Sequence, residues 1–453
     1  MADRPSNSNS LPCLPRDLGD GLALRRATAA DAEALIAFNG EIQVDPGSVG
    51  PDKGVAAWTR DLTLGEHPTF DVSDFTVVED TRSGAIVSSL NLISQTWSYS
   101  GIEFGVGRPE LVGTRPDYRR RGLVRTQFEV IHAWSAERGH KMQVITGIPW
   151  YYRQFGYEMA LALGGGRVGY QANVPHLKEG EAEPYRVRPA TEADLPFIAC
   201  VSEHASKRYR LACVRDAALW RYELAGRSRD SVHQAELRLI ETAGGEPVGF
   251  LVYTDHFFGG PKLSVEVYEL KPGISWLDVT PCVLRYIEAI REECARRDER
   301  EFGSFLFALG TEHPAYQVAS NRLPDVRRPY AWYVRVPDVP DFVRHIGPAL
   351  ERRLAESPLV GHSGELKISF YGDGLRLAFE KGRLTGVEPW SPTHEDWGNA
   401  AFPGLTFLQV LLGYRSLDEL LYAFPDCGVG SDAARALLNA LFPKQASDVW
   451  GLV

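Results

Sequence analysis

Two stretches of this chain follow one template. "LRRATAADAEALIAF" begins at Leu24 and "VRPATEADLPFIACV" at Val187. Arg25, Ala27, Thr28, Ala30 and Asp31 recur as Arg188, Ala190, Thr191, Ala193 and Asp194, all at one offset of 163 residues. In each copy a strand end leads to a threonine, then to an aspartate three positions on, then into a helix. That is an N-cap with an acidic partner at N3. A strand-to-helix opening repeated at domain-sized spacing constrains the fold to a duplicated unit. The 453 residues hold both copies and one more domain. The expected layout is a disordered tail over 1–20, a first unit over 21–182, a second over 183–336 and a third over 337–453.

The first copy continues with "FTVVED" and "AIVSSLNLIS" around the turn "TRSG", an antiparallel hairpin. "ELVGT" (residues 110–114) reads as the end of a strand. A basic loop comes directly after it. Val124, Phe128, Ile131 and Trp134 then form a helical stripe that stops at Gly139, and "MQVIT" is the next strand. The second copy has its own hairpin, "ELRLIET" and "PVGFLVYTDH", but "KPGISWLDVTP" where the basic loop should be. After "VPDVPDF" the pattern changes. "ELKISFYGDGLRLAFEKGRLTGV" alternates like a β-meander, and three helical segments come after it. The fold class expected is α/β (α+β), two repeated units plus a smaller α+β domain.

Formal net charge is -10, which argues against nonspecific binding to nucleic acid or anionic membranes. No run approaches a membrane span of roughly 18 apolar residues. The six cysteines, Cys13, Cys200, Cys213, Cys282, Cys294 and Cys427, show no CxxC spacing and read as reduced thiols, so a cytoplasmic location is expected. The histidines show no ligand spacing, and no metal is expected. "GGGRVG" at 164–169 fits GxGxxG, but no amphipathic helix comes after it.

The loop itself reads "YRRRGLVR" from Tyr118 to Arg125. A strand that turns tightly into a helix leaves backbone amides unpaired at the helix start, and the helix dipole adds positive potential there. Together these make an anion site. Gly122 lets backbone approach the ligand, and Arg119, Arg120, Arg121 and Arg125 ring it with charge. A phosphate or pyrophosphate is the anion implied. The bland reading of the same residues is a solvated basic turn.

Arg119-x-x-Gly122-x-Val124 resembles the pyrophosphate-wrapping signature of GNAT acetyltransferases, with Val124 where most of that superfamily has Gly or Ala. Tyr152-x-x-x-Gly156-Tyr157, about thirty residues on, is similar to the superfamily's later motif, where a tyrosine sits near the thioester sulfur. The order of parts after residue 20 resembles the enhanced-intracellular-survival (Eis) acetyltransferases, which join two GNAT-like domains to a sterol-carrier-protein-like C-terminal domain. The resemblance implies acetyl-CoA as co-substrate, one per chain. It implies an amine acceptor of aminoglycoside, polyamine or lysine type and a homo-oligomer, a hexamer. It places the polarising backbone N–H at Val112, Gly113 and Thr114. The coenzyme contacts would fall on Arg120, Arg121, Gly122, Leu123, Val124 and Arg125, with Gly147 and Ile148 on the next strand. Tyr152 would be the acid that protonates the departing thiolate, with Tyr151 as competitor. The base implied is the C-terminal carboxylate, here at Val453, with Glu103 and Glu110 as alternatives through water. Two other readings stay open: a lipid- or acyl-CoA-binding sensor, and a GNAT enzyme for another acyl donor.

Overall fold

The computed structural model describes residues 13–44, 47, 49–255, 263–299 and 303–450. Its first sheet begins with β1 (Arg16–Gly19), β2 (Leu22–Arg26), β3 (Phe75–Asp80), β4 (Ala85–Tyr99), β5 (Ile102–Thr114) and β6 (Met142–Ile145), paired in that order. Helices α1 (Ala32–Ile42) and α2 (Lys53–Leu64) lie between β2 and β3 in the chain, and α3 (Leu123–Glu137) joins β5 to β6. The parallel pair β5–β6 with α3 between them is the strand, loop, helix, strand order that the sequence predicts. Helix α3 buries Phe128, Ile131 and Trp134 on the sheet, and the loop before it and its first turn carry the arginines outward. Arg16–Gly19 pairs with β2, so part of the expected disordered tail over 1–20 is a strand.

Strand pairing crosses the expected boundaries at 182 and 336. The chain runs through β7 (Glu158–Leu163) in the first sheet and crosses at once into β8 (Gly166–Gly169) of the second. The second sheet also holds β9 (Tyr185–Pro189), β11 (Glu236–Thr242), β12 (Pro247–Thr254), β13 (Leu263–Leu270), β14 (Phe305–Phe307) and β15 (Asp325–Arg327). Then β16 (Tyr330–Arg335) returns to the first sheet and inserts between β6 and β7. Short β10 (Leu211–Val214) also leaves its own unit to pair with β4. The two units therefore exchange strands, and neither sheet is complete without chain from the other. Within the GxGxxG candidate at 164–169, Gly166–Gly169 is strand β8, paired on both sides between β14 and β15.

The repeat is visible side chain by side chain. Arg25 holds Asp31 through two hydrogen bonds of 2.8 Å and reaches Glu79 at 2.8 Å. Arg188 holds Asp194 at 2.8 and 2.9 Å and reaches Glu241 at 3.0 Å. Both threonine caps form reciprocal boxes with their aspartates. Each guanidinium, with the Thr28 or Thr191 cap, brings its aspartate from 3.8 down to about 2. A depressed carboxylate contributes stability above its unfolded pKa and loses it as pH falls through the folded one. We expect each pair to contribute ~2 kcal/mol that disappears between about pH 4 and pH 2. Chemical denaturation at stepped pH checks this. Asp31→Asn should flatten the slope in that window, and an unchanged slope would contradict the assignment.

The second unit's helices are α4 (Leu195–Ser206), α5 (Ala217–Arg221), α6 (Trp276–Arg297) and α7 (Pro314–Val318). The third unit opens with α8 (Val339–His345) and α9 (Gly347–Ala355). Its sheet is the meander β17 (Gly364–Ser369), β18 (Gly374–Glu380) and β19 (Arg383–Trp390), extended by β20 (Ala400–Ala401) and β21 (Gly428–Val429). Helices α10 (Phe407–Leu411), α11 (Leu417–Ala423) and α12 (Asp432–Leu441) cover it, where the sequence places its three helical segments. This unit shares one apolar core with the end of the β4–β5 hairpin, where Phe104 meets Phe342 with ring centroids 5.3 Å apart. The Tyr99 hydroxyl donates to the Leu411 carbonyl at 2.8 Å, and Arg353 binds that hydroxyl at 3.0 Å.

Candidate active site

The site starts with a strand that leaves its neighbour. β5 pairs with β6 only at Val106–Met142 and Gly107–Gln143. The stretch from Arg108 to Thr114 runs on without β6 beside it, so the sheet opens there as a V. A bulge shapes the opening: the β4–β5 register shifts between Ser89 and Asn91, and Leu111 sits at φ 52°. A left-handed leucine costs about 1–2 kcal/mol, and such bulges re-aim backbone beside functional sites. Side chains pin the strand beyond the bulge. Gln43 Nε2 donates to the Val112 carbonyl at 3.0 Å, and Ser88 Oγ donates to the Gly113 carbonyl at 2.8 Å. Gln127, fully buried on α3, donates to Ser88 Oγ at 2.7 Å and accepts from Thr76 at 3.0 Å. One polar network thus joins the splayed strand to α3.

The basic loop crosses the top of the V. Tyr118 anchors it by donating to Asp80 at 2.7 Å, a carboxylate that Arg82 also holds. Arg119 Nε donates to the Thr114 carbonyl at 3.2 Å, Arg121 lies 5.0 Å over the Tyr118 ring, and Arg125 donates to Gln154 at 2.8 Å. Arg120 and Gly122 take left-handed φ of 64° and 76° on either side of Arg121. Alternation of this kind turns successive amides to one side as an anion nest. Among the described residues no acceptor takes the amides of residues 120 to 125, and Gly122 caps α3 without a side-chain bond. A Cβ on Gly122 would project into open space. Leu123 is buried and Val124 half-buried against the core beneath, so Val124 serves packing. The second unit differs at the equivalent helix: Ser275 caps α6 with its own hydroxyl, which accepts the Asp278 amide.

On the other arm of the V, Gly147 at φ 110° leads into exposed Ile148 and a 3-10 turn, Tyr151–Phe155. Tyr152 is 3% exposed, and its hydroxyl lies 3.8 Å from the position of a Gly147 Cβ. Its ring packs against Tyr151, Phe128, Tyr157 and Tyr333, with centroids 5.3 to 6.4 Å apart. Burial, and in smaller part the charge of Glu110, push the Tyr152 phenol well above its usual range, so it stays protonated. Tyr151 is more exposed and is pushed up by burial as well. Tyr157 is fixed instead, its hydroxyl 3.0 Å from His132 Nε2.

The two glutamates part ways. Glu110 lies in the V, paired with Arg108 at 2.6 Å, with both side chains largely buried. Glu103 is exposed at the far end of β5, about 20 Å along the strand, where its backbone carbonyl faces His345. The structure therefore brings Glu110 to Tyr152 and leaves Glu103 away from both. Val453 lies outside the described residues.

The far wall is silent in the sequence. A cavity of about 470 Å³ lies behind the V between the units, lined by Arg108, Thr146, His233, Glu266, Trp332 and Trp450 among others. Trp332 and Tyr333 arrive on the exchanged strand β16, and Trp450 from the third unit's tail. No local pattern marks them, because tertiary pairing alone brings them there. Burial and the charges of Arg108 and Arg227 hold His233 well below its usual range, so its imidazole is neutral.

Residues 24–160 match the family described as the acetyltransferase (GNAT) domain. The chain carries a GNAT acetyltransferase domain. Acetyl transfer is the activity that domain brings, and the splayed strand, the basic loop and Tyr152 all fall within it. Solved structures share the architecture of nearly the whole chain. A probable N-acyltransferase from Enterococcus faecalis V583 is 13% identical with a TM-score of 0.64, covering 95% of this chain and 100% of its own. A GCN5-related N-acetyltransferase from Kribbella flavida is 16% identical with a TM-score of 0.61, covering 94% and 97%. Eis1 from Mycobacterium abscessus is 14% identical with a TM-score of 0.58, covering 95% and 99%. At these identities the likeness speaks for the fold. No curated protein matches the chain by sequence.

Proposed function

We propose that the protein is an acetyl-CoA-dependent N-acetyltransferase acting on a primary amine of aminoglycoside, polyamine or lysine type. One observation carries the reading: among the described residues no acceptor takes the amides of residues 120–125, and the buried Tyr152 hydroxyl stands by Gly147 across the opening between β5 and β6. The coenzyme's diphosphate would lie on the amides of Arg120, Arg121, Gly122, Leu123, Val124 and Arg125, with charge from the arginines. The pantetheine arm would run between the Val112–Thr114 strand and Gly147–Ile148, as a short extra strand.

The acceptor amine would enter from the cavity side and attack the thioester carbonyl. The C–N bond forms, the C–S bond breaks, and the thiolate takes the proton of the Tyr152 hydroxyl. A backbone amide of the splayed strand would hold the developing oxyanion. The proton leaving the amine goes to a carboxylate, either at Val453 or through water at Glu110. Within the same proposal the enzyme is cytoplasmic and hexameric, and its third unit is sterol-carrier-like.

The test is release of free thiol from acetyl-CoA with aminoglycosides, polyamines and lysine peptides as acceptors. Turnover with an amine supports the reading. No turnover with any amine, together with lipid co-purified with the protein, would favour a binding protein instead. Propionyl- and longer acyl-CoA in the same assay test the choice of donor.

A further inference from the structure

The segment Ala446–Trp450 leaves the third unit and threads between the other two. It docks as an extra strand beside β10: the Arg210 amide donates to the Ala446 carbonyl at 2.7 Å, and the Asp448 amide to the Leu211 carbonyl at 2.9 Å. Asp448 and Ala212 form a parallel bridge. Val449 is buried in the core shared by the first and third units, whereas the Trp450 ring packs on the second unit's cluster around Ile198 and Trp220. All three units thus meet across two adjacent residues. The same segment lines the 470 Å³ cavity through Ala446, Asp448 and Trp450.

One side chain holds the segment at Trp450. Arg215 Nη2 donates to the Trp450 carbonyl at 2.9 Å, and its guanidinium lies 4.2 Å over the Trp450 ring. The Cys213 thiol donates to the same carbonyl at 3.2 Å. Arg215 is itself buried, with a side-chain exposure of 5%, and its Nε stands 3.6 Å from Glu223. Glu223 sits on a π-helical turn after α5 and also binds Arg227 at 2.5 Å. Arg227 faces the cavity. π-turns are rare and concentrate at functional sites. One carboxylate therefore ties the guanidinium that holds the tail to a guanidinium in the cavity wall. A buried trio of charges this close holds its members in one arrangement, because moving one leaves another unpaired.

We infer that Arg215 is a positioning residue: it fixes Ala446–Trp450 as the wall of the acceptor cleft, and so governs how the acceptor binds and reacts. The kinetic part rests on the acetyl-transfer reading; the docking part does not. The docked tail also shields a reporter, since burial pushes the Cys213 thiol up to about 12. A loosened tail would return the thiol towards its ordinary range and make it reactive.

The experiment compares wild type, Arg215→Lys, Trp450→Ala and Trp450→Phe as full chains. Iodoacetamide labelling of Cys213 at pH 8 is read by peptide mass spectrometry, with acetyl-CoA affinity by calorimetry and acceptor kinetics alongside. Arg215→Lys keeps the charge, and Trp450→Ala trims a half-buried ring, so a folding failure in one leaves the other readable. In both, Cys213 labelling should rise by about tenfold or more. Acceptor kcat/KM should fall by about tenfold, with acetyl-CoA affinity within about twofold of wild type. Trp450→Phe, which keeps an aromatic face for the guanidinium, should restore protection and rate. Cys213 protected as in wild type in both Arg215→Lys and Trp450→Ala would overturn the inference, as would unchanged acceptor kinetics with Cys213 exposed. If the wild-type chain turns over no amine, the acetyl-transfer reading fails and the labelling alone decides the docking.

Discussion

Tyr152→Phe should lower kcat by about 10²-fold or more, the usual scale for removing a positioned general acid, and leave acetyl-CoA affinity within about twofold. The substitution deletes one oxygen and keeps the ring, and the ring is what packs against Phe128, Tyr151 and Tyr333. The core should therefore survive it. The hydroxyl stands by Gly147 at the mouth of the V and is held protonated by burial, so it has a proton to give and is not the base for the amine. The burial that weakens it as an acid also raises the proton affinity of a thiolate formed beside it. The same push predicts that no rate loss from Tyr152 ionisation appears up to about pH 10, the usual tyrosine pKa. Steady-state rates with calorimetric affinities check both points. Equal losses of rate and affinity would make Tyr152 a packing residue. Tyr151→Phe, more exposed and less enclosed, should cost much less, and the reverse ranking would move the acid to Tyr151.

Gly122→Val should weaken acetyl-CoA binding by about 10²-fold while costing about 1–2 kcal/mol of stability for a side chain at left-handed φ. The stability cost is small because a Cβ at Gly122 meets nothing within 4 Å. That open space is where the coenzyme's phosphates would have to stand. A branched side chain there would block the approach and tilt amides that no other group occupies. Calorimetric affinity with thermal unfolding separates the two effects. A variant that binds acetyl-CoA as wild type does would show that the loop is a solvated basic turn after all.

The parts legible in the sequence are those set by local chemistry. Gly122 between arginines, the stripe Phe128–Ile131–Trp134 and the threonine–aspartate caps each act within a turn or two of chain. So the strand, loop and helix are readable, and so is the repeat. The bulge at Leu111 is not, because leucine gives no signal of left-handed backbone and only the β4 register imposes it. The strand exchange is not, because Tyr330–Arg335 reads as any buried strand and its partners Ile145 and Leu161 lie far back in the chain. Unit boundaries at 182 and 336 come from the repeat, whereas the hydrogen bonding is set by the sheets. Arg108, Arg215 and the tail docked on β10 are silent for a related reason: an arginine reads as surface until packing shows it buried. Among the proposed bases, Glu110 and Glu103 look equivalent along the chain, and only the length of β5 separates them.

The central claim is that the loop from Arg119 to Arg125 binds the coenzyme's diphosphate, and calorimetric titration of coenzyme A into the full-length protein tests it most directly. Saturable heat is expected with one site per chain, weakened by added salt and by Gly122→Val. Absence of binding, or binding that Gly122→Val leaves untouched, would contradict it.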